Sequence, residues 1–183
     1  LSPKGLLLSE ETSRDLARTN DLDRPIGMQL YGADAEILAQ GAAWCAQHGA
    51  TVVDINMGCP VDKVTKKNGG SMLMCDLDNT FAIFERVREK LPDQVPLTAK
   101  MRLGWDESAK EAGVASALAL GLIERGAAMV TVHGRTTEQR FKGSSDLLGI
   151  KRVVDDVRAR FPGVPVIGNG DIKEASDVIR MLH

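Results

Sequence analysis

Four short segments of this chain carry side chains that could do chemistry. The first is Asp54-Ile55-Asn56-Met57-Gly58-Cys59-Pro60, where an apolar run delivers an amide and a thiol to a proline-fixed turn. An ordinary cysteine has a pKa of about 8.5, so near neutrality it is mostly a protonated thiol. Cys59 can therefore donate a proton, or act as a nucleophile once activated. A lone cysteine is more often a buried structural residue. Its place at the end of a strand-like run is what favours function here. The second segment is Lys100-Met101-Arg102. Strand alternation puts Lys100 and Arg102 on one side. Two converging cations are costly unless an anion or an electron-rich ring accepts them. Lys100 alone would also suit Schiff-base chemistry. The third is His133-Gly134-Arg135-Thr136, with an imidazole that can donate or accept a hydrogen bond at neutral pH. The fourth is Gly168-Asn169-Gly170-Asp171-Ile172, whose Gly-rich turn would offer backbone amides to a phosphate, with Asp171 as cap of the next helix.

Other reactive residue types read as structural. Cys45 sits on the apolar face of a helical pattern and Cys75 follows Met72-Leu73-Met74, so both are expected to pack. His48 and His183 are expected at the surface. No HExxH motif, Cys/His cluster or paired acids at ligand spacing suggests a metal.

The elements that must position these residues alternate strand and helix. Five short apolar segments read as buried strands: Pro25–Tyr31, Thr51–Ile55, Pro96–Met101, Met129–Val132 and Val164–Ile167. Between them, 3.6-residue periodicity predicts helices over Ala35–His48, Thr80–Leu91 (with Asn79 as cap), Ala109–Arg125 and Leu147–Phe161. A last helix is expected after Ile172. Strands separated by helices pair in parallel. Every strand runs into polar or Gly-rich residues at its C-terminal end: Gln29 and Gly32, Asn56 to Cys59, Lys100 to Arg102, His133 to Arg135, Asn169 to Asp171. Ends that all carry chemistry favour a (β/α)8 TIM barrel, where they meet on one face, over a doubly wound sheet, where only those beside the switch point share a site. Five strands cannot close such a barrel, so an incomplete barrel of about five βα units is expected.

The chain has 183 residues, 43% of them hydrophobic, and a formal net charge of -2. That length suits one domain with a real core. No run approaches the roughly 20 apolar residues of a membrane helix, and Leu1 to Glu11 lacks the marks of a signal peptide. The opening on Leu1 rather than Met suggests a piece of a longer protein. Three cysteines without a CxxC pair favour a reducing, cytoplasmic setting. The net charge opposes a dedicated nucleic-acid module. Lys63, Lys66 and Lys67 after Cys59, and Arg140 and Lys142 after the His133 strand, nevertheless make a local basic patch able to meet phosphates.

Together, several stretches resemble the FMN-dependent tRNA-dihydrouridine synthases. They are Pro25 to Gly32, Asp54 to Pro60, the turn from Lys63 to Gly70, Lys100-Met101-Arg102-Leu103-Gly104-Trp105, Val132 to Thr136, and Val166 to Ile172. The combination is specific, although no single piece is. The resemblance implies an FMN-binding barrel followed by a small helical domain that grips tRNA. This chain would supply the third to seventh strands, with the helical domain absent. It further implies that Gln29, Lys100 and His133 contact the FMN ring or ribityl chain, and that Asn169, Gly170 and Asp171 lie near the phosphate end. Cys59 would be the acid at C5 of uracil, Asn56, Arg102 and Arg135 would hold the pyrimidine, and NADPH would reduce the flavin. One departure is Leu147, where the family commonly carries an aromatic. Rival readings are a flavin dehydrogenase of free pyrimidines, a Schiff-base aldolase through Lys100, and a non-catalytic fragment.

Overall fold

A computed structural model describes residues 1–182, with Asp21 described by its backbone alone. His183 lies outside the described residues. Five parallel strands form one sheet: β1 (Gly27–Leu30), β2 (Val52–Met57), β3 (Leu97–Arg102), β4 (Ala127–His133) and β5 (Val166–Asn169). Their order in the sheet is their order in the chain. A doubly wound sheet reverses direction at a switch point, and this one does not. Right-handed crossovers repeated without reversal put every connecting helix on one face. The architecture is that of a partial (β/α)8 barrel.

The principal helices are α3 (Ala35–Gln47), α5 (Leu77–Lys90), α7 (Val114–Glu124), α8 (Leu147–Arg160) and α9 (Ala175–Leu182). Short helices α1 (Pro3–Leu7), α2 (Glu11–Leu16), α4 (Asp62–Thr65) and α6 (Glu107–Glu111) fall between them. None of α1, α2 or α4 was expected, because pieces of four to six residues leave little periodicity to read. Alternation along the strands divides the sheet cleanly. Val53, Ile55 and Met57 of β2, Leu97, Ala99 and Met101 of β3, and Val130 and Val132 of β4 are buried. They pack with Leu38 and Ala42 of α3, Phe84 and Val87 of α5, and Leu118 and Leu122 of α7. Each large apolar side chain so buried contributes about 1.5–3 kcal/mol. The opposite, inner face carries the polar residues in register: Gln29 beside Asp54 beside Thr98, then Asn56 beside Lys100 beside Thr131, then Arg102 beside His133 beside Asn169.

Three local expectations are corrected. The helix read over Ala109–Arg125 is broken, because Gly113 sits in left-handed conformation (φ 78°) between α6 and α7. The Arg152 guanidinium lies where a Cβ at Gly113 would be, at 2.8 Å. Helix α5 starts at Leu77 rather than Thr80, because Asp76, not Asn79, is its cap: the Asp76 carboxylate accepts the Asn79 N–H at 3.1 Å. Cys75 is exposed. It ends the 3-10 turn Gly70–Cys75, in which Leu73 and Met74 take the buried positions. Cys45 is buried, as expected. Among the described residues, no helix is long and apolar enough to cross a membrane.

Candidate active site

The C-terminal ends of β2 and β3 form one half of the mouth. Beyond Met57 the chain turns sharply, and the Asn56 side chain holds that turn. Its Oδ1 accepts the N–H of Gly58 at 3.1 Å and of Cys59 at 2.8 Å. Asn56 Nδ2 in turn donates to Gln29 Oε1 at 2.8 Å, and Gln29 Nε2 donates to Asp54 Oδ2 at 2.7 Å. Thr98 Oγ1 donates to the other Asp54 oxygen at 2.6 Å. The far side of the Cys59 turn is held by Ser71, whose backbone N–H and hydroxyl both reach the Cys59 carbonyl at 3.1 Å. This approach requires Gly70, which has φ 60° and whose added Cβ would stand 2.6 Å from the Cys59 oxygen.

Arg102 ties the two halves of the mouth together. It is 3% exposed. Its Nε donates to Gly58 O at 2.8 Å, and its Nη1 donates to the carbonyls of Thr136 and Arg140 at 2.8 and 2.9 Å. Arg135 does the same for the β4–β5 half. It reaches the carbonyls of Lys142 and Gly143, and both oxygens of Asp171 at 2.9 and 2.7 Å. Each guanidinium keeps one nitrogen, Nη2 of Arg102 and Nη1 of Arg135, without a protein partner among the described residues. Neither of these atoms is sealed from solvent.

Asp171 is not the helix cap that its sequence position suggested. Helix α9 begins four residues later, where Asp177 accepts the N–H groups of Lys173 and Glu174. The Asp171 carboxylate instead faces Arg135 and the Ser145 N–H, which hold it below the usual carboxylate range. Asn169 and Gly170 border the same turn, with the Asn169 carbonyl accepting the Gly134 N–H at 3.0 Å.

Between the halves lie two groups left unsatisfied. Lys100 is half-buried and makes no hydrogen bond or ion pair among the described residues. Burial, and then the neighbouring Arg102, hold its ammonium below the ordinary lysine value, against a pull from Asp54. His133 has a buried Nδ1 with no hydrogen-bond partner among the described residues. Burial first, then the cations Arg102, Lys100 and Arg135, push its pKa down to about 4, with Asp171 opposing. A neutral imidazole and an ammonium unpaired among the described residues therefore share one inner face, with the Cys59 turn at its C-terminal edge. Among the described residues, no group of three or more His, Cys, Asp or Glu is placed to hold a metal.

The structure brings all ten residues singled out in the sequence to this end of the sheet. Sequence reading did not single out Asp54, Thr98 or Ser71. The usable signal for Asp54 was its place two residues before Asn56, hence on the same strand face. Of the basic patch, Lys63, Lys66 and Lys67 are exposed. Arg140, however, is committed to an ion pair with Asp62 at 2.8 Å.

A family model described as Dihydrouridine synthase (Dus) matches residues 1–183. The "Probable tRNA-dihydrouridine synthase" of Rhizobium leguminosarum bv. phaseoli is 38% identical over 160 residues, covering 87% of this chain and 47% of that protein. The tRNA-dihydrouridine(16) synthase of Pseudomonas syringae pv. tomato is 36% identical over 157 residues, covering 86% and 47%. The "Probable tRNA-dihydrouridine synthase 1" of Synechocystis is 36% identical over 192 residues, covering 100% and 51%. The chain thus spans about half the length of the curated relatives it matches. It belongs to the dihydrouridine synthase family.

Proposed function

We propose that this chain, residues 1–183, is the partial barrel of an FMN-dependent tRNA-dihydrouridine synthase that reduces uridines of tRNA in the cytoplasm, with NADPH as reductant and a helical tRNA-gripping domain outside this chain. The observation that carries the reading is an ammonium and a buried imidazole nitrogen, both unpaired among the described residues, on one inner face beside the fixed turn that carries Cys59.

The residues present fit a flavin. The buried His133 Nδ1 and the Lys100 ammonium, both without partners among the described residues, are what an electron-rich ring with polar edges would satisfy. In this reading Gln29, Lys100 and His133 border the ring or ribityl chain, and Asn169, Gly170 and Asp171 border the phosphate end. When bound and reduced, the flavin supplies hydride for C6 of uracil. Cys59 gives the proton to C5, so the C5–C6 double bond is lost and a thiolate remains to be reprotonated. Negative charge develops on the pyrimidine as this happens. Asn56 and the guanidinium edges of Arg102 and Arg135 left open among the described residues would hold the ring and oppose that charge. Exposed Lys63, Lys66 and Lys67 provide a local field for tRNA phosphates despite the net charge.

The test uses the full-length protein with FMN, NADPH and unmodified tRNA. Dihydrouridine is quantified by mass spectrometry, with Cys59→Ala alongside. Product from the parent and a loss of about 10²–10⁴-fold in the variant are expected for removal of a general acid. Turnover of free pyrimidine without turnover of tRNA would overturn the proposal in favour of a dehydrogenase.

A further inference from the structure

Asp54 has no part in the function just described, yet both of its carboxylate oxygens are engaged on the inner face. Each of its oxygens accepts one hydrogen bond, from Gln29 at 2.7 Å and from Thr98 at 2.6 Å. The directions of the bonds above it are forced. The N–H groups of Gly58 and Cys59 can only donate, so Asn56 must turn its carbonyl oxygen to them. That leaves the Asn56 NH₂ facing Gln29, which must present its own oxygen. Gln29 is then left with an NH₂ pointing at position 54, where only an acceptor will serve. A carboxylate meets that demand in either orientation.

We propose that Asp54 is a positioning residue: it is the terminal acceptor of a relay through Gln29 and Asn56 that fixes the peptide of Cys59, and so aims the thiol. The catalytic consequence rests on the role proposed above for Cys59, whereas the relay rests on the hydrogen bonds alone. Without the acceptor, the Gln29 NH₂ loses its partner, and only the single bond to Asn56 still holds Gln29 oxygen-first. An inverted Gln29 would set NH₂ against NH₂, and an inverted Asn56 would set NH₂ against the Cys59 N–H.

The deciding measurement is amide hydrogen exchange at Gly58 and Cys59 in the full-length protein. Asp54→Ala is expected to speed exchange there by about tenfold, the factor one net hydrogen bond is worth. Asp54→Asn keeps a carbonyl for Gln29 and lets the Thr98 hydroxyl accept instead, so it restores slow exchange. In an Asn56→Ala background, where the relay is already cut, Asp54→Ala adds nothing. Unchanged exchange in Asp54→Ala, or equal and additive effects in the two backgrounds, would overturn the relay. If Asp54→Ala does not fold, Gln29→Leu cuts the same relay one link on and must reproduce the rise. In turnover, kcat should fall about tenfold in Asp54→Ala with KM for tRNA unchanged, and recover in Asp54→Asn. A fall in kcat that Asp54→Asn does not repair would remove the aiming role. The exchange pattern without any dihydrouridine from the parent would uphold the relay and sink the functional reading instead.

Discussion

The two halves of the mouth are built on opposite principles. Around the Cys59 turn, polar side chains are hydrogen-bonded into one network: Asn56, Gln29, Asp54, Thr98 and Ser71 spend hydrogen bonds on one another and on the turn. On the β4–β5 side, charged side chains hold the loops through Arg135 and Asp171, while His133 keeps a buried nitrogen without a partner among the described residues. A satisfied network is rigid, and an unsatisfied one is receptive. The contrast suits a site in which a fixed proton donor works across from a surface that waits for a bound ring.

The largest effect is expected from breaking the rigid side at its tightest point. Gly70→Ala forces a side chain into left-handed backbone, at a cost of about 1–2 kcal/mol, and into the Cys59 carbonyl 2.6 Å away. The turn must move. A displacement near 1 Å of a catalytic group costs about a hundredfold in rate. Gly163→Ala is the control, since nothing lies within 4 Å of its Cβ position. Turnover and thermal unfolding of the two variants, measured together, decide the matter. Equal turnover would mean that this turn does not aim the thiol.

How much of this contrast was legible beforehand follows from what each feature depends on. The five strands were readable because an apolar run with Val, Ile or Met is a local property, and observed bounds such as Val52–Met57 differ from the expected Thr51–Ile55 only at the ends. The charged residues were readable too, because Lys100, Arg102, His133 and Arg135 announce themselves by type. The relay was not. Gln29 meets Asp54 and Asn56 only through the parallel register of β1 and β2, across more than twenty residues of chain. Caps and breaks failed for a similar reason. Asp76 and Asn79 are both good cap residues, and only the backbone at Asp76 (φ -140°, ψ 90°) selects the former. Gly113 breaks a helical pattern that its neighbours would continue, and the Arg152 that fills its missing Cβ comes from α8.

A smaller effect should appear on the receptive side as pH falls. The folded pKa of His133, about 4, lies below the ordinary 6.5. A depressed base contributes stability that is present above about pH 6.5 and is lost as pH falls through about 4. The loss should be about 1–2 kcal/mol, less than the full shift implies, because the ring is only half-buried and solvent screens it. Denaturant midpoints of the parent and His133→Gln between pH 7 and 4 measure this as a difference in slope. Parallel curves would mean that the imidazole is ordinary and that the receptive side is not held neutral.

The smallest effect isolates the part of that depression that comes from neighbouring charge. Burial is the leading cause, followed by Arg102 and then by Lys100. Removing a nearby cation stabilises the protonated ring, so Lys100→Met must raise the His133 pKa. It must not restore 6.5, because burial and both arginines remain. The residual effect of Lys100 is Coulombic between partly solvated groups, and salt should weaken it. An NMR titration of the His133 ring in parent and Lys100→Met, at low and at 1 M salt, reads all three statements at once. Convergence of the two titrations at high salt would identify charge as the link between the residues. A difference that salt leaves intact would instead mean that Lys100 shields the ring from water, and that the two unsatisfied groups hold each other's burial rather than each other's charge.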